Sequence, residues 1–356
     1  FGSVNIMKKL YRILIWFILV VTILIIKTLI DAGEFKTIEP HFDGNIEPIS
    51  GAIGAEDITI LSNGIALISS DDRRKTLAGT PEQGAIFGYD LRQENPRLFS
   101  LTAHLKFDFN PHGISVYESE NGLVTVGVVN HTKEADLIEL FDLVDGLLIH
   151  RQSLSDPIMI SPNDLVLVNT NQFYVTNDHG NTSELGRTIE EYLQLARSNM
   201  LFFDGEKFTV AASELGYANG INISQDGKTL FVAETVGKKM SLYNRNLSTN
   251  TLTFSHAIDF NSGVDNIELD AEGNVWIGSH PKMLAFTRHA KNAIALSPSQ
   301  VFRVTQPASD HFQIEEIFLD LGNKLSGSSV AATYGNTLLI GSVFEDHFLH
   351  CKFLPN

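Results

Sequence analysis

The sequence predicts an all-β fold, a six-bladed β-propeller preceded by an N-terminal apolar helix. Three observations support this fold: a hairpin pattern that recurs six times, the spacing between its copies, and one strongly apolar segment near the N-terminus. With 356 residues, of which 43% are hydrophobic and 19% charged, the chain can form one large β domain after that segment. We therefore expect two parts, an N-terminal signal anchor over residues 1–36 and a propeller over residues 37–356.

The repeated pattern is clearest between Ser262 and His280, in SGVDNIELDAEGNVWIGSH. Ile267 and Leu269 alternate with acidic residues, a turn follows, and a more continuously apolar strand begins at Val275. Five further stretches show the same order of alternating strand, polar turn and apolar strand: EDITILSNGIALISS, HGISVYESENGLVTVGVVNH, NDLVLVNTNQFYVTNDH, NGINISQDGKTLFVAE and SSVAATYGNTLLIGSV.

The spacing of these hairpins indicates the architecture. The shortest step between successive openings is 46 residues, from Asn219 to Asp265, and the longest is 63 residues, from Asp265 to Ser328. Such steps exceed one hairpin and suit a propeller blade of four strands. Because every innermost strand of a propeller begins at the same end of the central channel, the opening residues are expected to converge there. They are Glu56, Asp57, His112, Asn163, Asp164, Asn219, Asp265 and Asn266.

The chemistry of this set favours a hard cation. Carboxylate and amide oxygens suit Ca²⁺, which takes roughly six to eight oxygen ligands in flexible geometry. Zinc fits less well, because the twelve histidines include no H-E-x-x-H or comparable pair. For any single opening residue, the alternative is that Asp or Asn satisfies backbone donors in a turn. That alternative does not explain why adjacent polar pairs recur at one position of the repeat.

Charge and motifs exclude other classes of function. The formal net charge of −16 and an isoelectric point near 5.1 argue against a nucleic-acid partner, which needs a basic surface. The sequence contains no G-x-S-x-G motif of a serine hydrolase and no glycine loop that would hold phosphate. An acidic chain is compatible with binding a divalent cation.

The N-terminal segment is predicted to be a membrane anchor. Lys8, Lys9 and Arg12 precede the uncharged run from Ile13 to Ile26, and Lys27 follows it. The run is shorter than the roughly 20 residues that span a bilayer, although snorkelling of the flanking cations extends it. The stretch IDAGE is a poor signal-peptidase site, which favours an uncleaved anchor with a lumenal or extracellular propeller. Cleavage would instead give a secreted protein.

Three further expectations follow from the residues. Because Cys351 is the only cysteine, no intrachain disulfide can form. Of the four Asn-x-Ser/Thr sequons, at Asn130, Asn181, Asn222 and Asn246, we expect Asn181 and Asn246 to carry glycans. The amphipathic segment from Ser183 to Phe203 is predicted to form a helix.

Several motifs together resemble one known family. They are EDITILSNG, NPHGIS, VVNH, PNDLVLV, FYVTNDH, ANGINISQDGK, VDNIELD, WIGSHP and LIGSVF. From about Glu39 to Phe353 the sequence is similar to the paraoxonases, calcium-dependent lactonases and arylesterases. The resemblance implies a six-bladed propeller with two calcium ions in its tunnel, one catalytic and one structural, acting on lactone or ester substrates. It also suggests side activity toward organophosphates.

The resemblance also assigns residues. The catalytic calcium would be held by Glu56, Asn163, Asn219, Asp265 and Asn266. The structural calcium would be held by Asp57, Asp164 and the backbone carbonyl of Ile114. His112 and His131 match the family's histidine dyad, in which one histidine takes a proton from water and the other orients it. Two alternatives remain open: Glu56 or Asp265 acts as the base, or the histidines only shape the pocket. His280, Asp178 and His179 are candidate pocket-lining residues.

The sequence departs from the family pattern in its closure of the ring. The usual disulfide joins a cysteine near the N-terminus to one near Cys351, but DGNIEPIS, from Asp43 to Ser50, contains no cysteine. We expect strand pairing between the segment before Glu56 and HFLHCKF to replace it. One competing function is a non-enzymatic, membrane-anchored assembly factor for another membrane protein. A gluconolactonase-type or strictosidine-synthase-type propeller is a third reading, but such propellers lack NPHGIS combined with VVNH.

Overall fold

The computed structural model describes the backbone of residues 2–309 and 311–354, and the side chains from residue 5 onward within those ranges. Within them the strands form six four-stranded antiparallel sheets, each a propeller blade, which confirms the predicted fold. The first strand of the chain, β1 (Gly44–Ser50), belongs to the last blade rather than to the first.

The blades follow one another along the chain, with each innermost strand first. Blade one contains β2 (Ile58–Ile60), β3 (Ile65–Ser70), β4 (Ala85–Asp90) and β5 (Leu98–Ser100). Blade two contains β6 (Pro111–Glu118), β7 (Val124–His131), β8 (Asp136–Val144) and β9 (Leu147–Leu154). Blade three contains β10 (Pro162–Leu167), β11 (Phe173–Asn177), β12 (Ser198–Phe203) and β13 (Phe208–Leu215). Blade four contains β14 (Ala218–Ile223), β15 (Thr229–Glu234), β16 (Lys239–Arg245) and β17 (Leu252–Asp259). Blade five contains β18 (Gly263–Leu269), β19 (Val275–His280), β20 (Ser299–Thr305) and β21 (Gln313–Asp320). Blade six contains β22 (Ser328–Tyr334), β23 (Thr337–Ser342) and β24 (His347–Phe353), with β1.

Five of the innermost strands carry a register shift at the residues that open the repeat. The shift falls between Pro111 and Ile114 in β6, and the strands β10, β14, β18 and β22 show it at the corresponding positions. In a regular strand, neighbouring side chains point to opposite faces. A bulge breaks that alternation and re-aims side chains. The bulge therefore explains how the side chains of two adjacent polar residues, such as Asp265 and Asn266, can both be directed toward the tunnel.

The ring is closed by strand pairing. All seven residues of β1, from Gly44 to Ser50, pair antiparallel with β24, from Phe353 to His347. This confirms the closure predicted for a chain without the N-terminal cysteine. Cys351 lies fully buried opposite Ile46, and burial raises the pKa of its thiol to about 12. Ile58 of the first blade packs with Phe348 of the last, so apolar packing reinforces the seam.

Four helices lie outside the blades in the described residues. They are α1 (Gly2–Asp31), α2 (Arg73–Leu77), α3 (Glu184–Leu193) and α4 (Met283–Lys291). The prediction of one helix from Ser183 to Phe203 was wrong beyond Leu193. Gln194 adopts a left-handed conformation, with φ of 55°, and ends the helix. Residues 198–203 instead pair with β11 and β13, because strand pairing and burial outweigh the local helical pattern.

The first helix is long and apolar enough to cross a membrane. Its span from Asn5 to Asp31 covers 27 residues, and its most apolar window of 18 residues has a mean hydropathy of 2.9 and is not buried. Its end contacts the propeller: the Thr28 hydroxyl donates to the carbonyl of Tyr192 at 3.1 Å, and the carbonyl of Ala32 accepts from the Met283 amide at 2.9 Å. The helix therefore ends beside α3 and α4.

The sequons differ in exposure as expected. Asn181 and Asn246 are exposed, Asn222 is half-buried and Asn130 is fully buried. The Asn130 side chain also bonds Asp108 and Glu139 inside blade two, so a glycan there would disrupt the fold. Glycosylation at Asn181 and Asn246 stays a prediction.

Candidate functional site

The opening residues of the blades meet at one end of the central tunnel, at the floor of a cavity of about 500 Å³. The floor includes Glu56, Asn163, Asn219 and Asp265, and the walls come from α2, α3, α4 and the end of α1. All the predicted side-chain ligands are buried, and Asn266 lies beside Glu56. The structure thus brings Glu56, Asn163, Asn219 and Asp265 to one cavity floor, with Asn266 next to them.

Each of five side chains carries one oxygen that is buried and lacks a hydrogen-bond partner within the described residues. These atoms are Glu56 Oε2, Asn163 Oδ1, Asn219 Oδ1, Asp265 Oδ1 and Asn266 Oδ1. Buried polar atoms are nearly always satisfied, and one left without a partner costs about 1–3 kcal/mol. Five such oxygens around one cavity floor are hard donors of the kind that a divalent cation binds. The donor set therefore fits Ca²⁺.

The remaining atoms of these side chains hold the oxygens in place. The Asn163 amide donates to Asp178 Oδ2 at 3.3 Å, and the Asn219 amide donates to Thr235 Oγ1 at 3.1 Å. The Asn266 amide donates to Glu56 Oε1 at 2.8 Å. Because each NH₂ group is engaged elsewhere, each Oδ1 is left as the free end, which is the orientation that a metal ligand needs.

Electrostatics at the floor also favour a cation. Burial raises the pKa of Glu56 to about 7, although the Arg73 guanidinium opposes this shift. Burial likewise raises the pKa of Asp265 to about 6, against the hydrogen bond and charge of His280. Two buried carboxylates that resist ionisation are stabilised in their charged form by a nearby cation.

A second group lies deeper in the tunnel. Asp57 accepts from the backbone amides of Ile58, at 2.9 Å, and Ile114, at 2.7 Å. Asp164 accepts in the same way from two backbone amides, of Leu165 and Ile221. Burial raises the pKa of both carboxyl groups well above the usual range, and repulsion from Glu56 adds to the shift of Asp57, as repulsion from Asp57 adds to that of Asp164. Ile114 and Asp164 also line a cavity of about 420 Å³ that opens toward the other end of the tunnel.

Glycine allows the close packing around this group. A Cβ atom on Gly113 would lie 2.4 Å from Asp164 Oδ1 and 2.7 Å from the carbonyl oxygen of Asn163. Both contacts are far inside van der Waals range, so a side chain at position 113 would displace two of the predicted ligands.

The histidine dyad lies at the rim of the floor. His131 Nε2 lies 3.2 Å from His112 Nδ1, and His131 Nδ1 lies 2.7 Å from Asp136 Oδ1. His112 Nε2 faces the cavity, 3.3 Å from Glu56 Oε1 and 3.4 Å from the Arg73 guanidinium. The pair joins the cavity floor to the carboxylate of Asp136 near the surface, and such a chain can accept and relay a proton.

The candidate pocket-lining residues occupy two further walls. His280 Nε2 bonds Asp265 Oδ2 at 2.8 Å, which orients that carboxylate. His179 lies between Asp178, at 2.6 Å, and Glu191 of α3, at 2.9 Å. Burial disfavours the charged imidazolium of His179, but its bonds to the two carboxylates outweigh burial and raise its pKa to about 9.

Sequence reasoning missed two polar residues of the site, Arg73 and Asp136. Arg73 begins α2 in the connection between β3 and β4, and the repeat pattern does not determine the shape of that connection. Asp136 begins β8 five residues after His131, at the position where the hairpin returns. The His131↔Asp136 pairing could have been found by continuing the repeat from the second strand of the blade into the third.

Comparisons with known proteins cover most of the chain. A family model described as arylesterase matches residues 34–353. Human serum paraoxonase/arylesterase 1 is 36% identical over 309 residues, 84% of this chain and 86% of the relative. Human serum paraoxonase/lactonase 3 is 32% identical over 327 residues, 90% and 91% of the two chains. Chicken serum paraoxonase/arylesterase 2 is 33% identical over 308 residues, 84% and 86% of the two chains.

Solved structures share the fold at much lower identity. A regucalcin from Agrobacterium tumefaciens superposes with a TM-score of 0.53 at 15% identity, over 87% of this chain and 93% of its own. A luciferin-regenerating enzyme gives a TM-score of 0.53 at 13% identity, over 87% and 96% of the two chains. These likenesses bear on the fold alone. The family match and the curated relatives together show that the chain belongs to the arylesterase family, which includes the paraoxonases.

Proposed function

We propose that this protein is a calcium-dependent hydrolase of lactones and aryl esters. The observation that carries the proposal is the set of five partnerless oxygens, from Glu56 to Asn266, beside the histidine dyad. Membership of a family whose relatives are called paraoxonases, arylesterases and lactonases supports the same reaction class. The cavity above the floor provides room for a small-molecule substrate.

Two ions are part of the proposal. Glu56, Asn163, Asn219, Asp265 and Asn266 would hold the catalytic calcium. Asp57, Asp164 and the backbone carbonyl of Ile114 would hold the structural one. A calcium ion at the first position would act as a Lewis acid on a substrate carbonyl.

The protein's own groups would move the proton. Asp265 Oδ2 is committed to His280 and Glu56 Oε1 to Asn266, so neither carboxylate has both oxygens available as a base. His112 instead directs Nε2 toward the cavity, and its Nδ1 donates a hydrogen bond to His131 Nε2. We therefore assign His112 as the base that takes a proton from water and His131 as the group that orients it.

The N-terminal helix would anchor the enzyme in a membrane. We assign residues 1–36 to the anchor and residues 37–356 to the propeller, which would lie on the lumenal or extracellular side. Because α1 ends beside the mouth of the cavity, the mouth would lie close to the bilayer. If the anchor is retained, the full chain stays in the membrane fraction through carbonate washing. A soluble form that begins near Asp31 or Ala32 would show cleavage instead.

The deciding experiment is an assay of the purified protein against aliphatic and aromatic lactones and aryl esters, with and without a calcium chelator. We expect hydrolysis that stops on chelation and returns when calcium is added. Calcium binding without hydrolysis of any substrate in the panel would instead favour the non-enzymatic assembly factor.

A further inference from the structure

One cation of the cavity, Arg73, makes no guanidinium hydrogen bond shorter than 3.4 Å within the described residues. Arg73 begins α2, lines the cavity, and its side chain is only 12% exposed. Within the described residues its guanidinium has two polar neighbours, His112 Nε2 at 3.4 Å and Asp71 Oδ2 at 3.7 Å. The first is a long hydrogen bond and the second lies beyond hydrogen-bond range. Its remaining N–H groups are therefore free to bind a ligand in the cavity.

The nearby Arg187 shows the contrast. Its guanidinium donates to the carbonyl of Asn181 at 2.9 Å and to that of Ile160 at 3.0 Å, so it holds α3 on the propeller. Asp71 forms only a loose ion pair with Arg73, at 3.7 Å. Its carboxylate already accepts from Thr76 and from Asn110, each at 2.9 Å.

We propose that Arg73 binds a carboxylate of the substrate, so that the enzyme prefers lactones or esters with a second carboxylate near the scissile carbonyl. The inference rests on the proposed hydrolase function and names the substrate class of that site. A guanidinium matches a carboxylate through two parallel N–H···O bonds, and partial burial strengthens them. The protein has a net charge of −16, so an anionic substrate needs a local cation such as this one.

Binding of that carboxylate would also act on the dyad. The Arg73 N–H closest to the cavity floor points at His112 Nε2, the atom assigned to accept a proton from water. A carboxylate that takes this donor would leave Nε2 free for water. Arg73 would thus hold an acidic substrate in place, and the same contact would free His112 Nε2 to act as the base. A neutral substrate would not bind Arg73 in this way and would leave its hydrogen bond to His112 intact.

The test compares one lactone that carries a free carboxylate with its methyl ester, in calcium-loaded protein. We expect kcat/KM for the acid to exceed that for the ester by about tenfold or more, as for a charge-assisted bidentate bond. Arg73→Met should bring the ratio close to one, and Arg73→Lys should give an intermediate ratio because it keeps the charge without the fork. Lys75→Met is the control, since Lys75 is exposed on the same helix and pairs with Glu82.

Each outcome decides the matter. A ratio near one in the wild type, or one unchanged by Arg73→Met, would overturn the inference. No hydrolysis of either substrate would instead overturn the proposed function.

A second experiment tests whether Arg73 binds the carboxylate that hydrolysis generates. Inhibition by the hydroxy acid of a neutral lactone is measured in parallel. Relief of that inhibition by Arg73→Met, with the substrate ratio unchanged, would overturn the assignment to substrate. Calcium affinity of each variant, measured by titration, shows whether the site is intact.

Discussion

His131 Nδ1 lies 2.7 Å from Asp136 Oδ1, and this contact orders the protons of the whole dyad. An ionised carboxylate only accepts hydrogen bonds, so Nδ1 of His131 carries the proton. Its Nε2 then accepts from His112 Nδ1, 3.2 Å away. His112 is left with a lone pair on Nε2, directed at the cavity floor. The tautomers of both histidines follow from these hydrogen bonds. Asp136, which lies outside the cavity wall, sets them.

We therefore predict that Asp136→Ala lowers kcat about tenfold or more, with KM nearly unchanged, because the base loses its fixed tautomer. Asp136→Asn keeps an acceptor oxygen and should retain more activity than the alanine variant. Steady-state kinetics measure both effects, and Glu134→Ala in the same exposed loop serves as the control. If both Asp136 variants lost activity equally and melted at lower temperature, the contact would be structural only.

A pair of variants separates the metal from the base. Asn266→Ala removes one of the five proposed ligand oxygens and should weaken calcium affinity and hydrolysis together. His112→Gln leaves all five oxygens in place, so calcium affinity should persist while turnover falls by roughly 10²- to 10⁴-fold. Calorimetric calcium titration and lactone kinetics give the two readouts, with Asn244→Ala on an outer strand as the control. Near wild-type turnover in His112→Gln would move the base to Glu56 or Asp265.

Chelation should destabilise the protein in a way that depends on pH. In the metal-free state the pKa is about 7 for Glu56 and about 6 for Asp265, both above their ordinary values, chiefly because of burial. The folded protein then binds protons that the unfolded chain releases. The contribution of these groups to stability is present at low pH and is lost as pH rises through about 6 to 7.

The chelated protein should therefore melt at a lower temperature at about pH 8 than at about pH 5.5. The calcium-loaded protein should not show this loss, because the ion stabilises the ionised carboxylates, and saturating calcium at 100 times Kd adds about 2.7 kcal/mol. Differential scanning calorimetry at both pH values tests the pattern. Glu56→Gln should weaken the pH dependence, whereas the exposed Glu272→Gln should not. Identical melting curves with and without verified calcium removal would contradict the metal sites.

The sequence predicted the features that repeat. Asp265 and Asn266 could be assigned to the tunnel because the same polar opening recurs at blade spacing. The bulge that lets both side chains serve one centre could not be read in advance, since it depends on how two strands pair across a register shift. Ring closure was predicted for a physical reason: without the N-terminal cysteine, only backbone pairing could hold the seam.

What the sequence did not predict lies where tertiary contacts decide. The run from Ser198 to Phe203 follows an amphipathic segment in the sequence, but it forms a central strand because two neighbouring strands offer backbone partners. Arg73 begins α2, which lies between β3 and β4 outside the repeated hairpin, so its place in the cavity depends on the packing of α2. Periodicity fixes which side of a blade a residue faces, and it says nothing about side chains that loops bring over the tunnel.

The register of the closing strands predicts a covalent seam. Ile46 of β1 lies directly opposite Cys351 of β24, and both pack into the same apolar cluster. We expect Ile46→Cys to form a disulfide with Cys351 during oxidative folding and to raise the unfolding temperature, because the bond would enclose most of the propeller in one loop. Reductant should abolish the gain, and thermal melts with and without dithiothreitol measure it. Ile46→Ser controls for the lost packing, and Ile46→Cys with Cys351→Ala controls for the thiol. A stabilisation that persisted under reductant would show that the gain comes from the substituted side chain and not from a covalent seam.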